Sequence, residues 1–402
     1  MTLPYARRMA GVRPSAIREL LRLGADPGVI SFGGGYPDAS LFPVSELAAV
    51  YAGLLVGEHV SALQYTTSNG LPSLRRQVAE RLTRDGAPTE ADDVLIIQGG
   101  QQGLDLAAKL VVDPGSVVVT ENPTFLGALI AFAPCEPAYA PVRTDADGLD
   151  TDDLQRVLES HDDVRMIYTV PDFSNPTGVT LSLERRHRLL ELADEHDVLV
   201  VEDAPYRSLR YEGEPLPTLR SLDTSGRVLH LGSFSKILAP GLRLGWAVGS
   251  PEVVERLGLL KLAADTQSST LNMAATSAYL AAYDIDAHLA EALPVYRHKR
   301  DLMLETMDAT FPDEVGRTRP DGGLFVWLTF PEGFDAAEFL GRVLLPEAGV
   351  AFVPGATFFP VTQEPNHARV SYSGVPDDRL VEGITRTGRL LHRELRTAGR
   401  AG

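Results

Sequence analysis

The 402-residue sequence predicts an α/β protein: a large domain on a mostly parallel sheet, followed by a smaller α+β domain. Three observations carry that expectation. From Val94 onward, short runs rich in Val, Ile and Leu alternate with amphipathic helical stretches. Continuous apolar strands separated by helices are what a parallel sheet covered on both faces requires. Polar, Gly-rich segments follow the strands, and ligands of such sheets sit beyond the carboxyl ends. From about Asp284 the alternation gives way to a long helix and later strand patterns.

The strands are expected at "VLIIQ" (94–98), "SVVVT" (116–120), "RMIYTV" (165–170), "VLVVED" (198–203), "RVLHLGS" (227–233) and "LRLGWAVGS" (242–250). Helices are expected in "QQGLDLAAKLVV" after the first and in "LERRHRLLELADEH" before the strand that ends at Asp203. Residues 45–283 are assigned to the large domain and 284–402 to the small one. The latter reads as the helix through "LPVYRHKRDLMLETM", then "GGLFVWLTF", "VAFVPGATF", "ARVSYSG" and a final amphipathic helix.

Composition narrows the function. A formal net charge of −17 argues against a nucleic-acid partner, which needs a basic face. It leaves room for small anions, because a site can be positive within an acidic protein. No apolar run approaches the roughly 20 residues needed to cross a bilayer. "MTLPYARRMAGVRPSAIREL" lacks an apolar leader core, so a cytoplasmic protein is expected. Cys135 is the single cysteine, which excludes an intramolecular disulfide and a cysteine-based zinc site; no metal is expected. Of 37 lysines and arginines only Lys109, Lys236, Lys261 and Lys299 are lysines.

Lys236 stands in "GSFSKILAPGLRLGW", after an apolar strand and among Gly232, Ser233, Ser235 and Gly241. A surface lysine would sit on a helix face with carboxylates one turn away. Glycines and hydroxyls suit the close approach of an anion, and Arg243 adds a charge-assisted donor. A lysine beside a phosphate cradle invites a Schiff base with pyridoxal 5′-phosphate. Asp203, at the end of a buried strand, suits either the pyridinium nitrogen of that cofactor or a helix cap. Tyr206 and Asn175 can donate to the cofactor's phenolate oxygen, although Asn175-Pro176 also reads as a plain turn. "GGQQG" (99–103) opens a helix whose amides and dipole can hold phosphate. Phe125 suits either ring stacking or the core.

In combination these segments resemble the fold type I pyridoxal-phosphate aminotransferases of class I/II, with the aspartate-aminotransferase-like architecture. "NPTG", Asp-x-x-Tyr, Ser-x-Ser-Lys and the following arginine occur in that family's order. The resemblance implies an enzyme moving an amino group between an L-amino acid and a 2-oxo acid. The alternative is another reaction of the same cofactor: cyclisation, β/γ-replacement or O2-dependent oxidation. It also implies roles. Lys236 carries the cofactor as a Schiff base, Asp203 pairs with the ring nitrogen, and Asn175 and Tyr206 hold the phenolate oxygen. Phe125 stacks on the ring, while Gly100, Gln101, Ser233, Ser235 and Arg243 hold the phosphate. Tyr65, in "LQYTTSNG", reaches the neighbouring subunit's phosphate, so a homodimer with shared sites follows. Arg369, in "NHARVSYS", binds the substrate α-carboxylate.

"PSAIRELLRLGADPGVISFGGGYPDASLFP" is similar to the N-terminal segment of the 2-aminoadipate and kynurenine-type members. By that resemblance residues 1–44 belong with the small domain and cover the site. Ser15 and Arg18 contact the substrate's far end, and Gly35 and Tyr36 lie by its carboxylate. Three positions depart from the pattern: Tyr36 replaces a smaller aliphatic residue, Gly100 a serine and Phe125 a tyrosine. "AADTQSSTLN" (263–272) is also more polar than the family pattern. A DNA-binding regulator with an aminotransferase-like half is disfavoured, because the matching pattern already begins near Ser15.

Overall fold

The structure, a computed structural model, describes residues 4–10, 26, 28–56 and 60–398. After a two-residue strand, β1 (Ile30–Ser31), come eight strands that form the main sheet. They are β2 (Val94–Ile97), β3 (Val117–Asn122), β4 (Ala138–Asp145), β5 (Gly148–Leu149), β6 (Val164–Thr169), β7 (Leu199–Asp203), β8 (Val228–Ser233) and β9 (Gly245–Val248). Their spatial order is β2-β9-β8-β7-β6-β3-β4-β5.

The run from β8 through β7, β6 and β3 to β4 is parallel throughout. β2, β8 and β9 are buried along their whole length, which explains their unbroken apolar sequences. Two features depart from the expectation. The strand within "LRLGWAVGS" runs antiparallel to both neighbours, β2 and β8. β4 was not anticipated, because "AYAPVRTD" alternates exposed and buried positions and carries a proline.

The remaining strands are β10 (Gly316–Arg317), β11 (Phe325–Thr329), β12 (Val350–Ala351), β13 (Val353–Pro354) and β14 (His367–Ser371). β10, β11, β14 and β13 form an antiparallel sheet, and β12 pairs with β1. The helix Ile285–Thr310 joins the two cores. Its Ile285, Leu289, Ala292 and Tyr296 pack with the main sheet. Met303, Leu304 and Met307 pack with β11 and β14. The change of core thus falls between Tyr296 and Met303, inside the helix, whereas the sequence placed the boundary at its start.

The topology puts the carboxyl ends of six strands on one edge, β2, β3, β4, β6, β7 and β8, with the amino end of β9 beside them. The loop after β6, "PDFSNPTG", is anchored from behind. Arg186, fully buried on the helix Leu183–Glu195, donates to Asp172 Oδ1 at 2.8 Å. It also donates to the carbonyls of Leu181, Pro217 and Pro171 at 3.0, 2.8 and 3.0 Å. Asp172 also pairs with Arg207 Nη1 at 3.4 Å and Arg210 Nη2 at 3.8 Å, so its charge keeps partners when Arg186 is lost. Breaking a buried pair costs about 3–5 kcal/mol where the other charge is stranded. Arg186→Leu is therefore expected to destabilise the fold by less than that in urea denaturation, through the three carbonyls that lose its hydrogen bonds. A loss of the full amount would show that Arg207 and Arg210 do not satisfy Asp172.

Candidate active site

A cavity of about 320 Å³ opens at this edge of the sheet. Its wall contains Gly35, Tyr36, Gly100, Gln101, Phe125, Asn175, Asp203, Tyr206, Ser233, Ser235, Lys236, Arg243 and Arg369. The fold thus gathers thirteen expected positions, from five strand ends and both cores, around one space. Tyr65 is not in the wall; its side chain is 80% exposed. Ser15 and Arg18 lie outside the described residues. Two larger surface clefts, of about 1110 and 990 Å³, contain neither Lys236 nor Asp203.

Lys236 follows β8 directly, and its Nζ donates to the carbonyl of Gly35 at 2.7 Å. Among the described residues no carboxylate lies within 4.0 Å of that ammonium. Burial, with the cations Arg369 and Arg243 nearby, pushes its pKa down to about 8. Gly35 permits the contact because a Cβ there would meet the ring of Phe325 at 2.6 Å.

Asp203 ends β7 fully buried, and burial raises its pKa to about 6 against the bond it accepts from Tyr168. Tyr168 Oη donates to Oδ2 at 2.9 Å. The other oxygen, Oδ1, faces Gly100, 4.0 Å from where a Cβ would stand. One oxygen is thus tied down from below the cavity and one is left toward it.

Asn175 links the two ends of the site. Its Nδ2 donates to Tyr206 Oη at 3.3 Å, and its Oδ1 accepts from Arg369 Nη1 at 2.8 Å. Arg369, on β14, also donates to the carbonyl of Gly33 at 2.8 Å and lies over the rings of Phe325 and Phe358. Its buried Nε has no partner, and no carboxylate neutralises it among the described residues. Burial accordingly lowers its pKa to about 10. An arginine so placed is a ready binding group for an entering carboxylate.

The opposite end is built for an anion. The helix Gly100–Val111 starts at the cavity with no side-chain cap. The Gln102 amide donates to the Gly99 carbonyl at 3.1 Å, and the amides of Gly100 and Gln101 and the dipole can serve an anion. Gly99 precedes it at φ +76°, where a Cβ would lie 2.8 Å from Arg243 Nη2. Glycine at 99 therefore lets Arg243 cross the loop. Ser235 N donates to Ser233 Oγ at 3.0 Å, which draws both hydroxyl-bearing residues toward this corner. Gln101 donates its side-chain amide to the carbonyl of Gly127 at 2.7 Å, so it tethers the neighbouring loop. The ring of Phe125 lies back over Gly127, whose missing Cβ makes the room.

Two functional carboxylate contacts escaped sequence reasoning. Tyr168 is a tyrosine in the otherwise aliphatic strand β6, and a buried hydroxyl must find a partner; that was the available signal. Glu121, near the end of β3, accepts from Thr169 Oγ1, Val170 N and Ser174 Oγ at 2.6, 3.1 and 2.7 Å. It holds the loop that carries Asn175, and burial raises its pKa to about 7. The hydrogen bond from Tyr168 yields a test. Tyr168→Phe keeps the ring and removes the donor, so the ionised form of Asp203 loses support. A bond to a charged group is worth about 1.5–3 kcal/mol, so affinity for a cationic ring placed against Asp203 should drop about tenfold or more. Ligand titration followed by absorbance measures it, and unchanged affinity would remove Tyr168 from the site.

The family model "Aminotransferase class I and II" matches residues 29–386. The sequence is 37% identical to aromatic-amino-acid aminotransferase 1 of Thermococcus litoralis, over 98% of this chain and 95% of the relative. It is 39% identical to the 2-aminoadipate transaminase of Thermus thermophilus, over 96% of each. The crystal structure of Pyrococcus horikoshii kynurenine aminotransferase, in complex with PMP, superposes with a TM-score of 0.93 at 37% identity and 97% coverage of both chains. This chain belongs to the class I and II aminotransferase family and shares its fold type I architecture.

Proposed function

We propose that the protein is a pyridoxal-phosphate-dependent aminotransferase acting between an L-amino acid and a 2-oxo acid. The single observation that carries this reading is Lys236: a buried amine with no acid partner among the described residues, sharing one cavity with Asp203 and Arg369. The donor set fits the cofactor. Gly100, Gln101, Ser233, Ser235 and Arg243 would take its phosphate, Asp203 Oδ1 its ring nitrogen, Asn175 and Tyr206 its ring oxygen, and Phe125 its face.

When bound, the cofactor supplies an aldehyde that condenses with amines and a ring that spreads the electron pair left at the substrate's Cα. The protein supplies the rest. The depressed pKa leaves about one Lys236 amine in four neutral at pH 7.5, against about one in a thousand at the ordinary value. A neutral amine can attack a carbonyl, and once released it can take and return the Cα proton. Asp203 favours a protonated ring nitrogen, and Arg369 orients the substrate carboxylate.

Substrate choice rests on Tyr36, Gly35 and, in the segment outside the described residues, Ser15 and Arg18. The resemblance to 2-aminoadipate and kynurenine-type enzymes favours long or bulky side chains. A homodimer with Tyr65 reaching the partner's phosphate is supported by exposed Leu55, Leu63, Leu259 and Leu262 on this chain. A cytoplasmic location is the matching proposal, and no described helix is long and apolar enough to cross a membrane.

Two experiments test the reading. Borohydride reduction of the loaded protein and peptide mapping should find the pyridoxyl group on Lys236. A label on Lys261 would sink the assignment. Arg369→Ala should weaken 2-aminoadipate, glutamate, leucine and kynurenine alike, by about 2–5 kcal/mol in kcat/KM. Selective loss of one substrate would mean that Arg369 reads side chains instead.

A further inference from the structure

Lys261 has no part in the chemistry above, yet its side chain has no exposed area at all. It lies one turn before the end of the helix Pro251–Asp265, two residues before the unexpectedly polar stretch 263–272. Its Nζ donates to both oxygens of Asp265 at 2.8 Å and to Gln102 Oε1 at 3.0 Å. Gln102 Nε2 donates in turn to Asp265 Oδ2 at 2.7 Å, closing a three-residue ring. A fifth bond leaves the ring: Gln102 Oε1 accepts from the backbone amide of Gln98 at 2.9 Å.

Gln98 is the hinge between β2 and the anion-binding corner. Its amide is held from behind by Gln102, and its carbonyl accepts from Arg243 Nη2 at 3.3 Å on the cavity side. Both groups that orient the loop 98–101 are therefore fixed, one by the buried ring and one by a residue of the cavity wall. The same helix end continues to Gln267, whose Oε1 accepts from Thr66 N, adjacent to Tyr65.

We infer that Lys261, Asp265 and Gln102 form a positioning cluster that presets the loop 98–101 for a phosphate group. This rests on the reading of the cavity as a phosphorylated-cofactor site. A lysine suits the task because its ammonium can donate to three acceptors at once, within a space the helix has already closed. An ion pair kept only for stability would have no reason to share its donors with an amide that reaches the loop.

The test uses the cofactor-loaded protein and two variants. Lys261→Met removes the central donor. Lys261→Met/Asp265→Leu removes both charges, so that no carboxylate is stranded and the fold is kept if the single variant unfolds. Retention of pyridoxal 5′-phosphate is followed by absorbance on serial dilution, beside retention of pyridoxal, which lacks the phosphate. Each folded variant should hold pyridoxal 5′-phosphate about tenfold more weakly, the scale of one lost charge-assisted hydrogen bond. Pyridoxal retention should not change, and inorganic phosphate should lose its power to compete. Unchanged retention of pyridoxal 5′-phosphate, even with a lower melting temperature, overturns the inference and leaves a structural pair. Equal losses for both ligands overturn it too, since the cluster would not act through phosphate. Failure of the unaltered protein to hold pyridoxal 5′-phosphate instead overturns the cofactor reading, and this inference with it.

Discussion

Lys236 donates to a backbone carbonyl inside a cavity and meets no acid among the described residues, an arrangement that burial makes costly. The surrounding structure is organised so that this cost is accepted. β8 delivers the lysine at its end, and Gly35 brings the receiving carbonyl from the chain's N-terminal part. Arg369 and Arg243 add two more cations to the wall, so the space is locally positive within a chain of net charge −17. An anionic ligand at each end would neutralise what the protein leaves bare: phosphate by Arg243, carboxylate by Arg369. Among the described residues, the pairing of that ammonium with a backbone carbonyl is thus the arrangement on which the proposed function rests.

Three buried carboxylates near that sheet edge show how environment separates their roles. Glu202 has its pKa lowered: burial is opposed by His230, whose Nδ1 is 2.9 Å away, and by the amides of Arg220 and Leu219. It stays charged and structural. Glu121 has no cation and only neutral donors, and it is raised to about 7 while holding the Asn175 loop. Asp203 has a single phenolic donor and is raised to about 6, with one oxygen left toward the cavity. A cationic ring nitrogen beside that oxygen would reverse the shift. Neighbouring positions, Glu202 and Asp203, differ because alternate residues of a strand face opposite sides of the sheet.

The small domain contributes less chemistry but sets the second end of the site. β11 and β14 pair in register from Phe325 with Ser371 to Thr329 with His367, placing Arg369 opposite Trp327. Phe325 and Phe358 flank the guanidinium, and Phe325 also meets Tyr206 edge to face at 5.6 Å. Asn175, from the large domain, accepts from the same arginine. The two domains therefore share one hydrogen-bonded chain, Arg369 to Asn175 to Tyr206, across the cavity.

Much of this was legible in the chain itself. Apolar runs without alternation meant strands buried on both faces, and the polar loops after them marked the edge where ligands bind. The order of Asn175, Asp203, Lys236 and Arg243 carried the resemblance to the aminotransferase family, to which the chain belongs. Local pattern could not give the direction of β9 or the existence of β4, since pairing is decided between distant segments and β4 has an ordinary half-exposed sequence. Nor could it give the partners of buried polar groups. Lys236 with Gly35, Arg369 with Gly33, Tyr168 with Asp203 and Lys261 with Gln102 are separated by long stretches of chain. A buried donor must find an acceptor, which the residue type declares; which acceptor it finds is settled only when the sheet and the two cores bring those segments together.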